Sequence, residues 1–131
     1  MIRARLPQPC ARPGTRSWEA ALQVVEMERL RVFDPAKMRK NNLFETQRFF
    51  LDLYCLESGQ SQAPHDHAGS DKVYLVMEGR GTFRVGAEER MLAAGQAVLA
   101  PSGEMHGVVN DGPDRLVCLV FMAPHPKPKV P

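Results

Sequence analysis

Three of the four histidines sit where their chemistry can combine. His65 and His67 are two residues apart in QAPHDHAG, and His106 follows a loop rich in glycine and proline at 101–104. In an extended strand, residues i and i+2 project to the same face, so the H-x-H pair presents two imidazoles side by side. If that face lines an interior, a third imidazole from another strand completes a set of borderline-soft nitrogen donors suited to a divalent transition metal. The competing reading is that His65 and His67 are solvent-exposed loop histidines. Other reactive groups are sparse. The cysteines, Cys10, Cys55 and Cys118, show no C-x-x-C spacing, and the last two lie inside apolar runs, as buried free thiols do. Neither a phosphate-cradling glycine loop nor a nucleophile–histidine–acid arrangement is evident.

The elements that must carry these histidines read as short strands. Nine of the ten glycines fall between residues 59 and 112, whereas seven of the eleven prolines lie in the two ends. Within the glycine-rich stretch, apolar runs alternate with turn signals at the spacing of an all-β sandwich or barrel. The expected strands are 47–56, 63–67, 72–77, 82–85, 89–92, 97–100, 105–109 and 116–122. Segments 72–77 and 82–85 are expected to form a hairpin about Glu78-Gly79-Arg80-Gly81. Residues 18–34 mix helical and strand patterns, and 35–42 reads as a turn or one helical turn. Phe50, Tyr54, Phe83 and Phe121 are expected to pack the interior. The fold class is therefore all-β, an antiparallel jelly-roll barrel with an irregular N-terminal extension.

With 131 residues, 44% hydrophobic and 24% charged, the chain suits one domain. Residues 1–17 carry four arginines and no acid, and 125–131 add two lysines. That leaves 11 basic against 15 acidic side chains in residues 18–124, a net of −4. The expected division is a disordered basic tail at 1–17, one barrel domain at 18–124, and a Pro/Lys tail at 125–131. A basic surplus confined to tails argues against nucleic acid as a partner. The longest apolar run, residues 116–123, is too short to cross a membrane, and the N-terminus lacks the apolar stretch of a secretory signal. The expected location is cytoplasmic.

Nine residues occur in a specific order and spacing. Gly59, His65, His67 and Gly79 are followed by Gly95, Pro101, Gly103, His106 and Asn110. This resembles the two motifs of the cupin superfamily, G-x5-H-x-H-x(3,4)-E-x6-G and G-x5-P-x-G-x2-H-x3-N, over residues 59–110. The second motif is matched at every fixed position. The resemblance implies a small β-barrel in which His65, His67 and His106, with a glutamate, hold a divalent metal such as iron, manganese, nickel or zinc.

The departure is at that glutamate, because its position holds Lys72. Asp71 is next to it but alternates to the opposite face of a strand, so it reaches inward only if the loop 68–71 bulges. A three-histidine site is thus the expected coordination, with Asp71 as the candidate fourth ligand. Lys72 and Tyr74 share one strand face and are candidate pocket residues; Asn110 is read as a turn-ordering residue. Two functions compete. One is a metal-dependent enzyme, of dioxygenase or isomerase type, acting on a small organic molecule. The other is a non-catalytic module that binds or senses such a molecule. Cupin barrels commonly pair through their sheets, so a homodimer is expected.

Overall fold

The computed structural model describes residues 22–127; the N-terminal tail expected at 1–17, Trp18–Ala21, and residues 128–131 lie outside them. Nine strands follow a one-turn 3-10 helix, Met27–Leu30. They are β1 (Arg39–Glu45), β2 (Phe50–Leu56), β3 (Ser61–His65), β4 (Asp71–Glu78), β5 (Arg80–Val85), β6 (Glu88–Ala93), β7 (Ala97–Ala100), β8 (His106–Val109) and β9 (Leu116–Ala123). They form two antiparallel sheets, one ordered β1-β2-β9-β4-β7 and the other β3-β8-β5-β6. The all-β jelly-roll reading is the observed architecture.

Period-two alternation explains the interior. On β4, Lys72, Tyr74 and Val76 are buried while their neighbours are less so, as strand geometry requires. With Tyr54, Leu56, Phe83, Leu92, Val108, Leu116, Cys118 and Val120, Tyr74 and Val76 form the core between the sheets. Each fully buried Leu contributes about 1.5–3 kcal/mol of transfer free energy. Phe50 packs against this core, but Phe121 does not. It points outward, 40% exposed, and its ring stacks on Phe49 at 5.5 Å.

On β2 the run Leu53-Tyr54-Cys55-Leu56 is buried on both faces. The outward Leu53 and Cys55, with Val117, are covered by Met27, Leu30 and Phe33 of the N-terminal segment. Asn41 fastens that cover by donating to the carbonyls of Leu30 (2.7 Å) and Val32 (3.0 Å).

Two further expectations fail here. The turn expected over 35–42 gives way to a strand, because β1 begins at Arg39. Its polar sequence Arg-Lys-Asn-Asn carries little strand propensity, and pairing with β2 overrides it. The expected hairpin of 72–77 with 82–85 does not exist either. β4 pairs with β7 and β9, whereas β5 pairs with β6 and β8, so the chain crosses between sheets at Gly79. Gly79 has φ +77°, and a Cβ there would lie 2.2 Å from the Arg115 carbonyl oxygen. The glycine signals a tight crossing as well as it signals a hairpin.

Candidate metal centre

β3 and β8 bring the histidines together. His65, the last residue of β3, is the register partner of His106, the first of β8. This close approach depends on Gly107, where a Cβ would stand 2.8 Å from the Gln62 carbonyl oxygen and 3.1 Å from Pro64. His67 lies beyond the strand, in the loop, so the H-x-H pair is split between a strand end and a loop. Its backbone is held by Gly103, whose N–H donates to the His67 carbonyl at 3.1 Å. Ring centroids are 4.5 Å apart for His65–His106, 4.8 Å for His65–His67 and 5.6 Å for His67–His106. One ligand atom from each lies within 4.8 Å of the others.

Backbone carbonyls set the rings. His65 Nδ1 faces the Ala63 carbonyl at 3.0 Å, and His106 Nδ1 faces the Glu104 carbonyl at 3.1 Å. A carbonyl can only accept, so each Nδ1 carries the proton and each Nε2 keeps its lone pair. Burial pulls the His106 pKa down to about 4, the Glu104 carbonyl opposing it and Lys72, His65 and His67 adding to it. Burial, with the charges of His65 and Lys72, also lowers that of His67. Among the described residues His106 Nε2 is buried without a hydrogen-bond partner. A neutral, orphaned imidazole nitrogen aimed at two other imidazoles fits a divalent metal.

Asp71 is not in this group. It is exposed, and its Oδ1 accepts the Ser102 N–H at 2.9 Å, while the Ser102 hydroxyl accepts the Gly69 N–H at 2.7 Å. Asp71 thus ties the loop bearing His67 to the loop preceding His106.

Lys72 and Tyr74 do face the interior. Lys72 is 1% exposed, with Nζ 4.8 Å from the Tyr74 ring centroid and 5.1 Å from that of Tyr54. Burial pulls its pKa down to about 7; nearby Lys40 adds to the effect and Asp52 opposes it. The Tyr74 hydroxyl donates to Gln62 Oε1 at 2.8 Å, and its ring lies 6.2 Å from that of His106.

Gln62 itself was missed from sequence. Counting back by twos from His65 puts Ala63 inside and Gln62 outside. The register shifts between Gln62 and His65, and that irregularity turns Gln62 inward to 6% exposure. A proline two residues on was the available signal, since proline within a strand often marks such a bulge.

Comparison with known proteins agrees with this geometry. The family model described as "Cupin domain" matches residues 52–122, which include all three histidines. Over 81 residues the chain is 35% identical to the tetracenomycin polyketide synthase protein TcmJ of Streptomyces glaucescens, covering 60% of this chain and 54% of that protein. The chain therefore spans about half the length of that relative. Among solved structures, TT1209 from Thermus thermophilus is 44% identical with a TM-score of 0.76, covering 79% of this chain and 98% of that one. KdgF from Halomonas sp. is 28% identical with a TM-score of 0.62, covering 70% and 83%. Fold, motif residues and family match coincide, and the chain belongs to the cupin domain family.

Proposed function

We propose that His65, His67 and His106 hold a divalent metal ion, and that this cupin is a metal-dependent enzyme acting on a small organic molecule, of dioxygenase or isomerase type. The observation that carries the reading is the buried His106 Nε2, which has no partner among the described residues and converges with two further imidazoles. Three imidazoles suit iron, manganese, nickel or zinc, and such an ion supplies Lewis-acid polarisation of an oxygen or activation of water or dioxygen. The chain's own residues do the positioning. The Ala63 and Glu104 carbonyls hold two rings in the ligating tautomer. Asp71 and Ser102 keep the two loops in register. Tyr54, Tyr74 and Phe83 pack the interior beside the cluster. TcmJ is named as a polyketide synthase protein, which supports a small organic substrate.

Elemental analysis of protein purified without added metal or chelator tests this. About one equivalent of a transition metal, lost in a His106→Ala variant, is the expected result; absence of metal in the wild type overturns it. A second reading, a binding module without chemistry, is favoured by Lys72, whose amine occupies the position where the family motif has a carboxylate. Turnover of any bound small molecule would reject that alternative.

The same proposal includes a homodimer. Phe44, Leu51, Phe121, Val73 and Leu99 are successive register partners across the outer face of the five-stranded sheet. Phe121 and Leu99 are 40% and 53% exposed, the kind of contiguous apolar row that a partner covers. A monomeric mass by light scattering at micromolar concentration rejects it. Among the described residues no helix is long and apolar enough to cross a membrane. A cytoplasmic location is proposed with it, supported by the free, buried thiols of Cys55 and Cys118.

A further inference from the structure

We propose that Lys72 and Gln62 form a subsite for the carboxylate of a small organic acid, which binds behind the three histidines. This names a substrate class for the same interior and takes its catalytic meaning from the function proposed above, but the binding itself requires no metal.

Two buried donors, Lys72 Nζ and Gln62 Nε2, are left under-satisfied among the described residues. Lys72 Nζ makes one long contact, 3.5 Å to Gln62 Oε1, and among the described residues no carboxylate pairs with it. The acid whose charge it feels most, Asp52, is engaged by the Asn42 side-chain amide at 2.7 Å. Lys40 adds a second positive charge, its Nζ 5.5 Å from the Tyr54 ring on which Lys72 also rests. Gln62 Oε1 is committed to the Tyr74 hydroxyl at 2.8 Å, which fixes the orientation of the amide. Among the described residues its Nε2 is then a buried N–H donor that meets the Tyr54 hydroxyl only outside good hydrogen-bonding geometry and reaches no other acceptor.

An unpartnered buried donor is costly, and a buried ammonium without a counter-charge more so. One planar carboxylate satisfies both, accepting from Nζ and Nε2 while supplying the missing negative charge. A water molecule could accept from both donors but would supply no counter-charge. Nζ lies 4.8 Å from the Tyr74 ring, and that ring lies 6.2 Å from the His106 ring, so an acid held at Nζ shares the Tyr74 neighbourhood with the cluster. His65 and His67, only partly buried, form the side of that cluster nearest solvent.

The test follows the Gln62 side-chain amide by 1H–15N NMR in the full-length protein as purified, and again after dialysis against a chelator. The probes are acetate and its neutral isostere acetamide. Acetate is expected to shift the Gln62 Nε2 resonances saturably in both preparations, and acetamide is not. Lys72→Met, which keeps the apolar stem and removes the terminal buried charge, is expected to raise the acetate Kd at least tenfold while retaining a folded spectrum. Lys72→Gln serves the same comparison should Lys72→Met not fold. Equal responses to acetate and acetamide overturn the proposal. So does undiminished acetate affinity in the Lys72 variants, the result expected if acetate sits on a metal instead. A wild type that carries no metal yet binds acetate through Lys72 overturns the enzyme reading and supports the subsite.

Discussion

Asn110 and Gln62 are both buried amides inside the same barrel, and they differ in how they are satisfied. Asn110, fully buried, donates to the carbonyls of Leu56 (3.1 Å) and Asp114 (2.8 Å) and accepts the Gly112 N–H at 3.3 Å. It locks a turn, with both N–H donors used and its oxygen engaged. Among the described residues Gln62 leaves Nε2 unpaired, and nearby His106 leaves its own Nε2 unpaired. The interior is graded accordingly. β4 runs inward from Lys72 through Tyr74 to Val76, and β8 from His106 to Val108. One end is closed by apolar packing and a satisfied amide; the other retains donors and lone pairs with nothing to bind. Folding favours satisfied polar groups, so unsatisfied ones clustered at one end mark the end that binds something.

Four experiments break or sharpen that contrast. The largest effect is expected for His106→Ala, which leaves two imidazoles and should weaken metal binding at least a thousandfold, about 4 kcal/mol, read by competition titration against a chelating dye. Asn110→Ala should do the converse. It strands two carbonyls and the Gly112 N–H, destabilising the fold by about 3 kcal/mol in urea unfolding while leaving metal stoichiometry unchanged. If Asn110→Ala loses metal at full stability, the two ends are not separable.

Acid should reveal the same asymmetry in metal-free protein. His106 is held neutral down to about pH 4 in the fold but titrates near 6.5 when unfolded. Between those values the unfolded chain binds the extra proton, so stability falls as pH drops from about 6.5 to about 4, by at most about 3 kcal/mol. His106→Gln should flatten that part of the stability–pH curve; an unchanged slope assigns it to other groups. The smallest effect is expected from Lys72→Glu. It replaces a cation felt by His67 and His106 with an anionic oxygen, and should tighten metal binding about tenfold. Unchanged or weaker affinity would mean that position 72 does not reach the ion.

Where sequence reasoning succeeded, the information was local. Alternation along residues 72–76 puts Lys72, Tyr74 and Val76 on one strand face, because side-chain direction in a strand depends only on its immediate neighbours, whereas Asp71 stayed a candidate ligand for as long as a bulge in the loop 68–71 was open. Where it failed, partners distant in sequence decided. Gly79 reads equally as a hairpin or a crossing, and only the pairing of β4 with β9 and of β5 with β8 distinguishes them. Gln62 was invisible because the shift between it and His65 inverts the parity that counting assumes.

The sequence by itself determined the three histidines, the cupin motif around them and the lysine at the glutamate position, since these are matters of residue type and spacing. The tertiary structure decided what those residues meet. It set His65 opposite His106 through a close approach that Gly107 permits, and it withdrew Asp71 to tie two loops. It also stacked Lys72 on two tyrosines beside an amide with a free donor. Hydrogen-bond satisfaction is a property of the assembled interior, because a donor's acceptor, or the lack of one, comes from strands far away in the chain.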